Sequence, residues 1–269
     1  LCMLAALAGI HVLLEKIGGV RLNAGLCALW LAAAVFWIWA IGMRQRADAQ
    51  LVMADASQFA RGYYGALSED YLQVYTYQLG LCLPLHVLAK LLSGPALGQL
   101  DFAAQCLNAA LGIAGAGVLA ALAQEIFEKR AALAALLLYI VSLPTLLFAQ
   151  FVYNINLMIL LCAGTMLCFA RYVRTGRVGF GAGYALLGGL ALAAKPNAAV
   201  VLLALAAGYG VARFFEEKPE HGVLLTLCLT AALALPTLTT ETQSDDYLRY
   251  GETYNPYMYG TEYTMEGTN

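Results

Sequence analysis

A carboxylate, Asp48, follows an apolar stretch that ends at Met43 and lies close in sequence to Arg44 and Arg46. Neighbouring guanidinium groups favour the ionised form, so we expect Asp48 to be charged at neutral pH and able to accept a proton. A solvated acid that only balances two arginines is the alternative interpretation. Asp55 lies seven residues later, on the same helical face if one helix is continuous, and that alternative fits it better.

Lys195 stands in the sequence Ala194-Lys195-Pro196-Asn197, between two apolar runs. Pro196 breaks a helix and frees backbone carbonyl groups at this point. An ammonium group here can extend to lipid headgroups, or it can bind an anionic ligand such as a lipid phosphate. The spacing alone leaves both interpretations open.

Aromatic residues and amides occur together at two further places. Aromatic faces beside an amide suit a sugar ring, and they equally suit lipid headgroups. One group is Tyr71, Tyr75, Tyr77 and Gln78, and the other is Tyr153 and Asn154. We expect Tyr75, Tyr77, Gln78, Tyr153 and Asn154 to contact a substrate.

Signals for metals, soluble cofactors and nucleic acid are weak. The three histidines, His11, His86 and His221, are isolated, and the cysteines stand in apolar stretches without metal-site spacing. Glycine-rich phosphate-binding motifs are lacking as well, and the glycines at 112–117 and 188–189 instead predict close helix packing. From the isolated histidines and the lack of motifs we expect no metal and no cofactor. The net charge is −2 and the basic residues are dispersed, so we also expect no nucleic-acid partner.

The composition indicates what positions these residues. Of 269 residues, 61% are apolar and 12% are charged, against roughly 45–50% and about 25% in soluble domains. Long uncharged runs such as 22–43 and 102–127 are long enough for bilayer hydrocarbon. The fold class is therefore an all-α, polytopic transmembrane helix bundle, and membrane lipid is a partner.

The chain is expected to form a single transmembrane domain, 1–269. The expected spans are 22–43, 102–127, 131–149, 155–170, 178–194, 197–213 and 222–240, after a truncated helix at 1–14. The sequence begins without Met and stops in a polar tail, 241–269, so we expect a fragment that lacks its C-terminal part.

Basic residues in the short connections set the orientation, because cytoplasmic loops collect Lys and Arg. The basic connections lie on one common side of the membrane only if 79–92 does not cross it. In that case 44–101 is a large extracytoplasmic loop. Ordered loops of this length are usually functional. Within it, residues at helical spacing predict an interfacial amphipathic helix over about 49–67: Leu51, Val52, Phe59, Tyr63 and Tyr64.

Four motifs in order support a family resemblance. They are Asp48 with Phe59-Ala60-Arg61-Gly62, Tyr75-Thr76-Tyr77-Gln78-Leu79-Gly80, Phe151-Val152-Tyr153-Asn154 and Lys195-Pro196-Asn197-Ala198. The chain resembles the GT-C membrane glycosyltransferases, specifically the glycosyltransferase family 39-like relatives of protein mannosyltransferases and aminoarabinose transferases. It departs from them at Asn154, where many relatives carry an acid, and at Thr76, where proline is common.

The resemblance implies an extracytoplasmic enzyme of the cytoplasmic membrane that uses a polyprenyl-phosphate-linked sugar donor. The first-loop acid, Asp48, would be the catalytic base toward an acceptor hydroxyl, and Lys195 would meet the donor phosphate. We expect an inverting, metal-independent transfer to a cell-envelope glycan, lipid or protein.

A transporter or flippase of lipid-linked sugars is the main alternative, although transporters tend to place polar residues at mid-membrane in broken helices. A membrane scaffold is the other alternative.

Overall fold

The computed structural model describes residues 20–64, 71–92 and 98–216, and this part of the chain is helical without strands. This confirms the predicted all-α fold. A 3₁₀ turn covers Thr76–Gln78. The helices are α1 (Val20–Ile41), α2 (Ala47–Ala60), α3 (Tyr71–Val74), α4 (Leu79–Leu91), α5 (Leu100–Ile126), α6 (Lys129–Val141), α7 (Leu143–Ala149), α8 (Asn154–Thr175), α9 (Val178–Ala194) and α10 (Ala198–Glu216).

The predicted segments 1–14, 222–240 and 241–269 lie outside the described residues. In the described part, three helices are long and apolar enough to cross a membrane: α1 from Leu22, α5 and α8. Helices α9 and α10 are also apolar, but their apolar parts, Val178–Ala194 and Ala198–Gly210, are shorter than these three helices. Each coincides with a predicted span to within a few residues.

The predicted span 131–149 is two helices in the structure. Helices α6 and α7 meet at a bend of 62°. Ser142 between them has an extended backbone, and Pro144 stands at the start of α7. Proline lacks an N–H and disfavours helical geometry in the residue before it, so it begins a new helix more readily than it continues an old one.

Helix α5 is the centre of the bundle and packs against α1, α6 and α8. Its glycines allow the close approach that the sequence predicts. A Cβ on Gly112 would lie 2.6 Å from the Tyr139 hydroxyl, and one on Gly115 would lie 3.2 Å from the Leu160 nitrogen. Gly117, by contrast, faces open space. Close packing is thus confirmed at two positions of this stretch.

Helix α2 is shorter than the predicted amphipathic segment 49–67. It ends at Ala60, because Gly62 adopts a left-handed conformation with φ of +84°. The amides of Gly62 and Tyr63 bond back to the carbonyls of Phe59 and Gln58, which is the Schellman pattern of a helix end. Tyr63 and Tyr64 consequently lie beyond the helix and are exposed.

Helix α4 packs one face on α2, and some of its other apolar side chains are exposed among the described residues. Leu81, Cys82 and Leu85 are buried, whereas Leu83 and Val87 are exposed. A helix that is apolar on both faces is suited to lie against lipid. Whether the segment 79–92 crosses the membrane stays a prediction.

Charged and polar residues gather at opposite ends of the bundle. Arg171 and Arg174 of α8 lie 3.4 and 2.8 Å from the Glu125 carboxylate, near the last turn of α5. At the other end, the side chain of Gln45 contacts the connection between α7 and α8. These two sets of contacts therefore lie at opposite ends of the bundle, and which end faces the cytoplasm stays a prediction.

Candidate functional site

Two side-chain amides hold the irregular connection between α7 and α8. Gln45 donates to the Gln150 carbonyl at 2.8 Å and accepts from the Val152 amide at 2.9 Å. Asn108 of α5 donates to three carbonyl oxygens at 3.0–3.2 Å, those of Phe148, Ala149 and Phe151. Backbone groups outside regular helices need such partners where water is scarce. The connection is thereby fixed just before Tyr153.

Tyr153 and Lys195 meet where α8 begins and α9 ends. Both residues have extended backbones, at the helix caps of α8 and α9 respectively. The Lys195 Nζ lies 4.9 Å from the centre of the Tyr153 ring. This is the distance of a cation–π contact. The ammonium group is thus directed toward the aromatic residue that precedes α8.

Gln78 connects this pair to the tyrosine cluster, which consists of Tyr71, Tyr75 and Tyr77. Its side chain is fully buried, and its Nε2 lies 3.1 Å from the Tyr71 hydroxyl and 3.4 Å from the Tyr153 hydroxyl. The Gln78 Oε1 has no hydrogen-bond partner among the described residues. A buried acceptor without a partner is costly, so this oxygen is free to accept a hydrogen bond from a ligand.

The tyrosines before α4 stack on one another. The ring centres of Tyr71 and Tyr75 are 4.6 Å apart, and those of Tyr75 and Tyr77 are 6.1 Å apart. Burial raises the pKa of the Tyr71 hydroxyl, and the nearby negative charge of Asp48 raises it further. Tyr71 is consequently a neutral hydroxyl at physiological pH, and it lies within electrostatic range of Asp48.

Asp48 occupies the first turn of α2 and is partly exposed. The positive end of a helix dipole favours a carboxylate at this position. The residue before it, Ala47, has φ of +50°, a left-handed conformation that costs an alanine about 1–2 kcal/mol. Strained backbone of this kind is found where a structure must direct a particular side chain.

Asp55 is placed differently from Asp48. It is buried at 5% exposure on the face of α2 that packs on α4. Its charge raises the pKa of the Cys82 thiol, after the larger effect of burial, so the two lie near each other. Asp55 thus belongs to the α2–α4 interface. Within the three described segments, His, Cys, Asp and Glu form no group of three that could hold a metal ion.

Gly80 brings the tyrosine cluster against the end of α9. A Cβ at this position would overlap the Cα of Ala194 and lie 2.9 Å from the Ala193 carbonyl oxygen. Only glycine permits this approach of α4 to the residue before Lys195. The requirement connects the Gln78-Leu79-Gly80 motif directly to the Lys195-Pro196 break.

The structure therefore brings the predicted residues to one end of the bundle. Gln78 joins Tyr153 and Lys195 on one side to the tyrosine cluster and Asp48 on the other. Sequence reasoning did not single out the amides that hold this arrangement: Gln45, Asn108 and Gln105, which donates to the Met43 carbonyl at 2.6 Å. For Gln105 and Asn108, a polar side chain within an apolar helix is a signal, since a buried amide needs a partner.

One comparison with known proteins gave a match. Residues 85–239, more than half of the chain, match the family described as dolichyl-phosphate-mannose-protein mannosyltransferase. No curated protein and no solved structure gave a significant match. The matched region includes Tyr153, Asn154 and Lys195, and it begins after the segment that carries Asp48. The chain belongs to the dolichyl-phosphate-mannose-protein mannosyltransferase family of membrane glycosyltransferases.

Proposed function

We propose that the protein transfers a sugar from a polyprenyl-phosphate carrier to a cell-envelope acceptor, at the extracytoplasmic face of the cytoplasmic membrane. The observation that supports this most is the linked arrangement of one cation and one carboxylate at the same end of an apolar bundle. Lys195 contacts Tyr153 at one end of the Tyr71–Gln78–Tyr153 link, and Asp48 lies within electrostatic range of Tyr71 at the other end.

The donor phosphate is assigned to Lys195. A lipid-linked donor reaches the site from the bilayer, so its phosphate arrives at the end of the apolar helices, where α9 stops at the Lys195-Pro196 break. Lys195 is a partly buried residue, and its ammonium group lies beside Tyr153. A charge-assisted hydrogen bond to phosphate is stronger in such a partly dry place than in water.

The sugar is assigned to the amides and tyrosines between the two charges. Gln78 and Asn154 are fully buried, and the side-chain oxygen of each lacks a hydrogen-bond partner in the described parts of the chain. Sugar hydroxyls are donors that such oxygens accept. The faces of Tyr75 and Tyr77 provide apolar surface for the C–H groups of a sugar ring.

The proposed reaction is a single inverting displacement. The acceptor hydroxyl gives its proton to the Asp48 carboxylate as its oxygen forms a bond to the anomeric carbon of the sugar. The bond from that carbon to the phosphate oxygen breaks, and the carrier phosphate leaves with the bonding electron pair. Lys195 stabilises the charge that develops on this leaving group.

The test uses the full chain in liposomes that contain an undecaprenyl-phosphate-linked sugar and an extract of envelope acceptors. Mass spectrometry then follows the release of undecaprenyl phosphate and the glycosylated product. We expect release that depends on the protein and is lost in Asp48→Asn. Movement of intact donor between leaflets without release of carrier would instead establish the flippase alternative.

A further inference from the structure

The end of α9 leaves the Ala194 carbonyl oxygen without its helical partner. In a continuous helix, the Ala194 carbonyl would accept from the amide of Ala198. Here the Ala198 amide bonds to the Lys195 carbonyl at 3.0 Å, because Pro196 interrupts the helix. The Ala194 carbonyl accepts instead from the Asn154 side chain, whose Nδ2 lies 2.7 Å away.

Two contacts connect α8 and α9 through adjacent residues on each side. The Asn154 side chain donates to the Ala194 carbonyl. The residues next to these two, Tyr153 and Lys195, form the cation–π contact. The Asn154 side chain is fully buried, so water does not compete for its hydrogen bond. Movement of Ala194 away from Asn154 would carry the Lys195 backbone away from Tyr153.

We infer that Asn154 is a positioning residue that holds the Lys195 ammonium over Tyr153. The inference rests on the proposed function for its consequence. If Lys195 binds the donor phosphate, that binding depends on Asn154, which is not part of the pair of ammonium and phosphate. The inference does not rest on that function for its geometry.

The chemistry of an amide suits this role. Its nitrogen donates to the Ala194 carbonyl, which fixes the orientation of the group, and its oxygen has no hydrogen-bond partner within the described segments. An ionised carboxylate at this position would repel that carbonyl and would neutralise Lys195. A neutral donor keeps the charge of Lys195 available for an anion.

A position readout tests the inference without any substrate. The full chain has five lysines, at 16, 90, 129, 195 and 218, and reductive ¹³C-dimethylation makes each visible by NMR. The signal that disappears in Lys195→Arg belongs to Lys195. An ammonium over an aromatic face experiences a ring-current shift, so this signal should lie upfield of the others in the wild-type chain.

The test variant is Asn154→Leu, which has similar size and no donor. Its matched control is Asn156→Leu, since Asn156 also donates to a backbone carbonyl, that of Asn108 at 3.2 Å. We expect the upfield shift of Lys195 to disappear in Asn154→Leu and to remain in Asn156→Leu. Should Asn154→Leu fail to fold, Asn154→Asp at pH 8 takes its place, with the same expected loss.

An unchanged Lys195 signal in the Asn154 variant would overturn the inference. Binding of undecaprenyl phosphate to the same samples separates the inference from the proposed function. If both hold, Asn154→Leu weakens this binding about tenfold, the effect of losing one charge-assisted contact. A lost ring-current shift with unchanged binding would keep the positioning role and remove the phosphate role of Lys195.

Discussion

The Lys195 ammonium nitrogen lies 4.9 Å from the centre of the Tyr153 ring, and the Tyr153 hydroxyl lies 3.4 Å from the Gln78 amide nitrogen. A lysine that only extends to lipid headgroups would direct its ammonium away from the protein. Lys195 instead lies over a tyrosine that belongs to a partly buried polar link. The contact therefore favours the ligand-binding interpretation of Lys195 over the headgroup interpretation.

Removal of this charge should weaken donor binding. We expect Lys195→Met to reduce the affinity for a polyprenyl-phosphate donor by about 1.5–3 kcal/mol, the value of a hydrogen bond to a charged group. Lys195→Arg should retain much of the affinity, because the charge survives while its geometry changes. Binding is measured in nanodiscs. The matched control is Lys90→Met, which removes an exposed charge on α4. Equal affinities of Lys195→Met and the wild type would remove the phosphate role.

Loss of the proposed base should slow turnover without unfolding the protein. Asp48→Asn keeps the size of the side chain and loses proton acceptance, so we expect turnover to fall by roughly 10²–10⁴-fold. Product formation and thermal unfolding are measured on the same sample. Asp101→Asn is the control, because Asp101 also lies in the first turn of a helix, α5.

Asp55→Asn should affect turnover less than Asp48→Asn, since Asp55 lies in the α2–α4 interface. Its main effect is expected in the unfolding temperature. Equal turnover of Asp48→Asn and the wild type would show that Asp48 is not the base and would favour its interpretation as a solvated acid.

The helices themselves were predictable, because long apolar runs can only be helices where backbone groups lack water. The runs before Arg44 and after Asn154 match α1 and α8 to within a few residues. The break at Pro144 was missed because the run 131–149 stays apolar across it. Hydrophobicity does not reveal where one apolar helix ends and the next begins, whereas the missing N–H of proline does.

The site was predictable in its residue types and not in its contacts. Tyr153, Gln78 and Lys195 are separated along the chain, and no local pattern shows that one tyrosine contacts both of the others. The role of Gly80 depends on the backbone of Ala194, which only the fold brings near. Long-range contacts of this kind follow from helix packing, so sequence spacing does not contain them.

The close approach of α4 to α9 predicts a large effect at Gly80. Gly80→Ala places a methyl group on the Ala194 backbone, and overpacking of this kind costs typically 1–3 kcal/mol. The displaced end of α9 should also weaken donor binding.

Gly117→Ala is the matched control in another helix, where open space surrounds the position. There the helix preference of alanine should stabilise the protein by about 0.5–1 kcal/mol. Similar unfolding temperatures for the two variants would contradict the packing.

The separation of charges along the bundle predicts which end faces the cytoplasm. The end with Arg171, Arg174 and the start of α6 should be cytoplasmic, because cytoplasmic connections collect basic residues. The end with Lys195 should face out. Two single cysteines test this after the native cysteines are replaced. Glu128→Cys and Asn197→Cys both change exposed residues, one at each end.

A membrane-impermeant maleimide applied to intact cells should label the chain with Asn197→Cys and leave the chain with Glu128→Cys unlabelled. After permeabilisation both should react, which shows that each thiol is accessible. Labelling of Glu128→Cys in intact cells would reverse the orientation. The proposed site would then face the cytoplasm, and its donor would have to be presented from the inner leaflet. The same experiment therefore decides both the topology and the side of the membrane from which the sugar is taken.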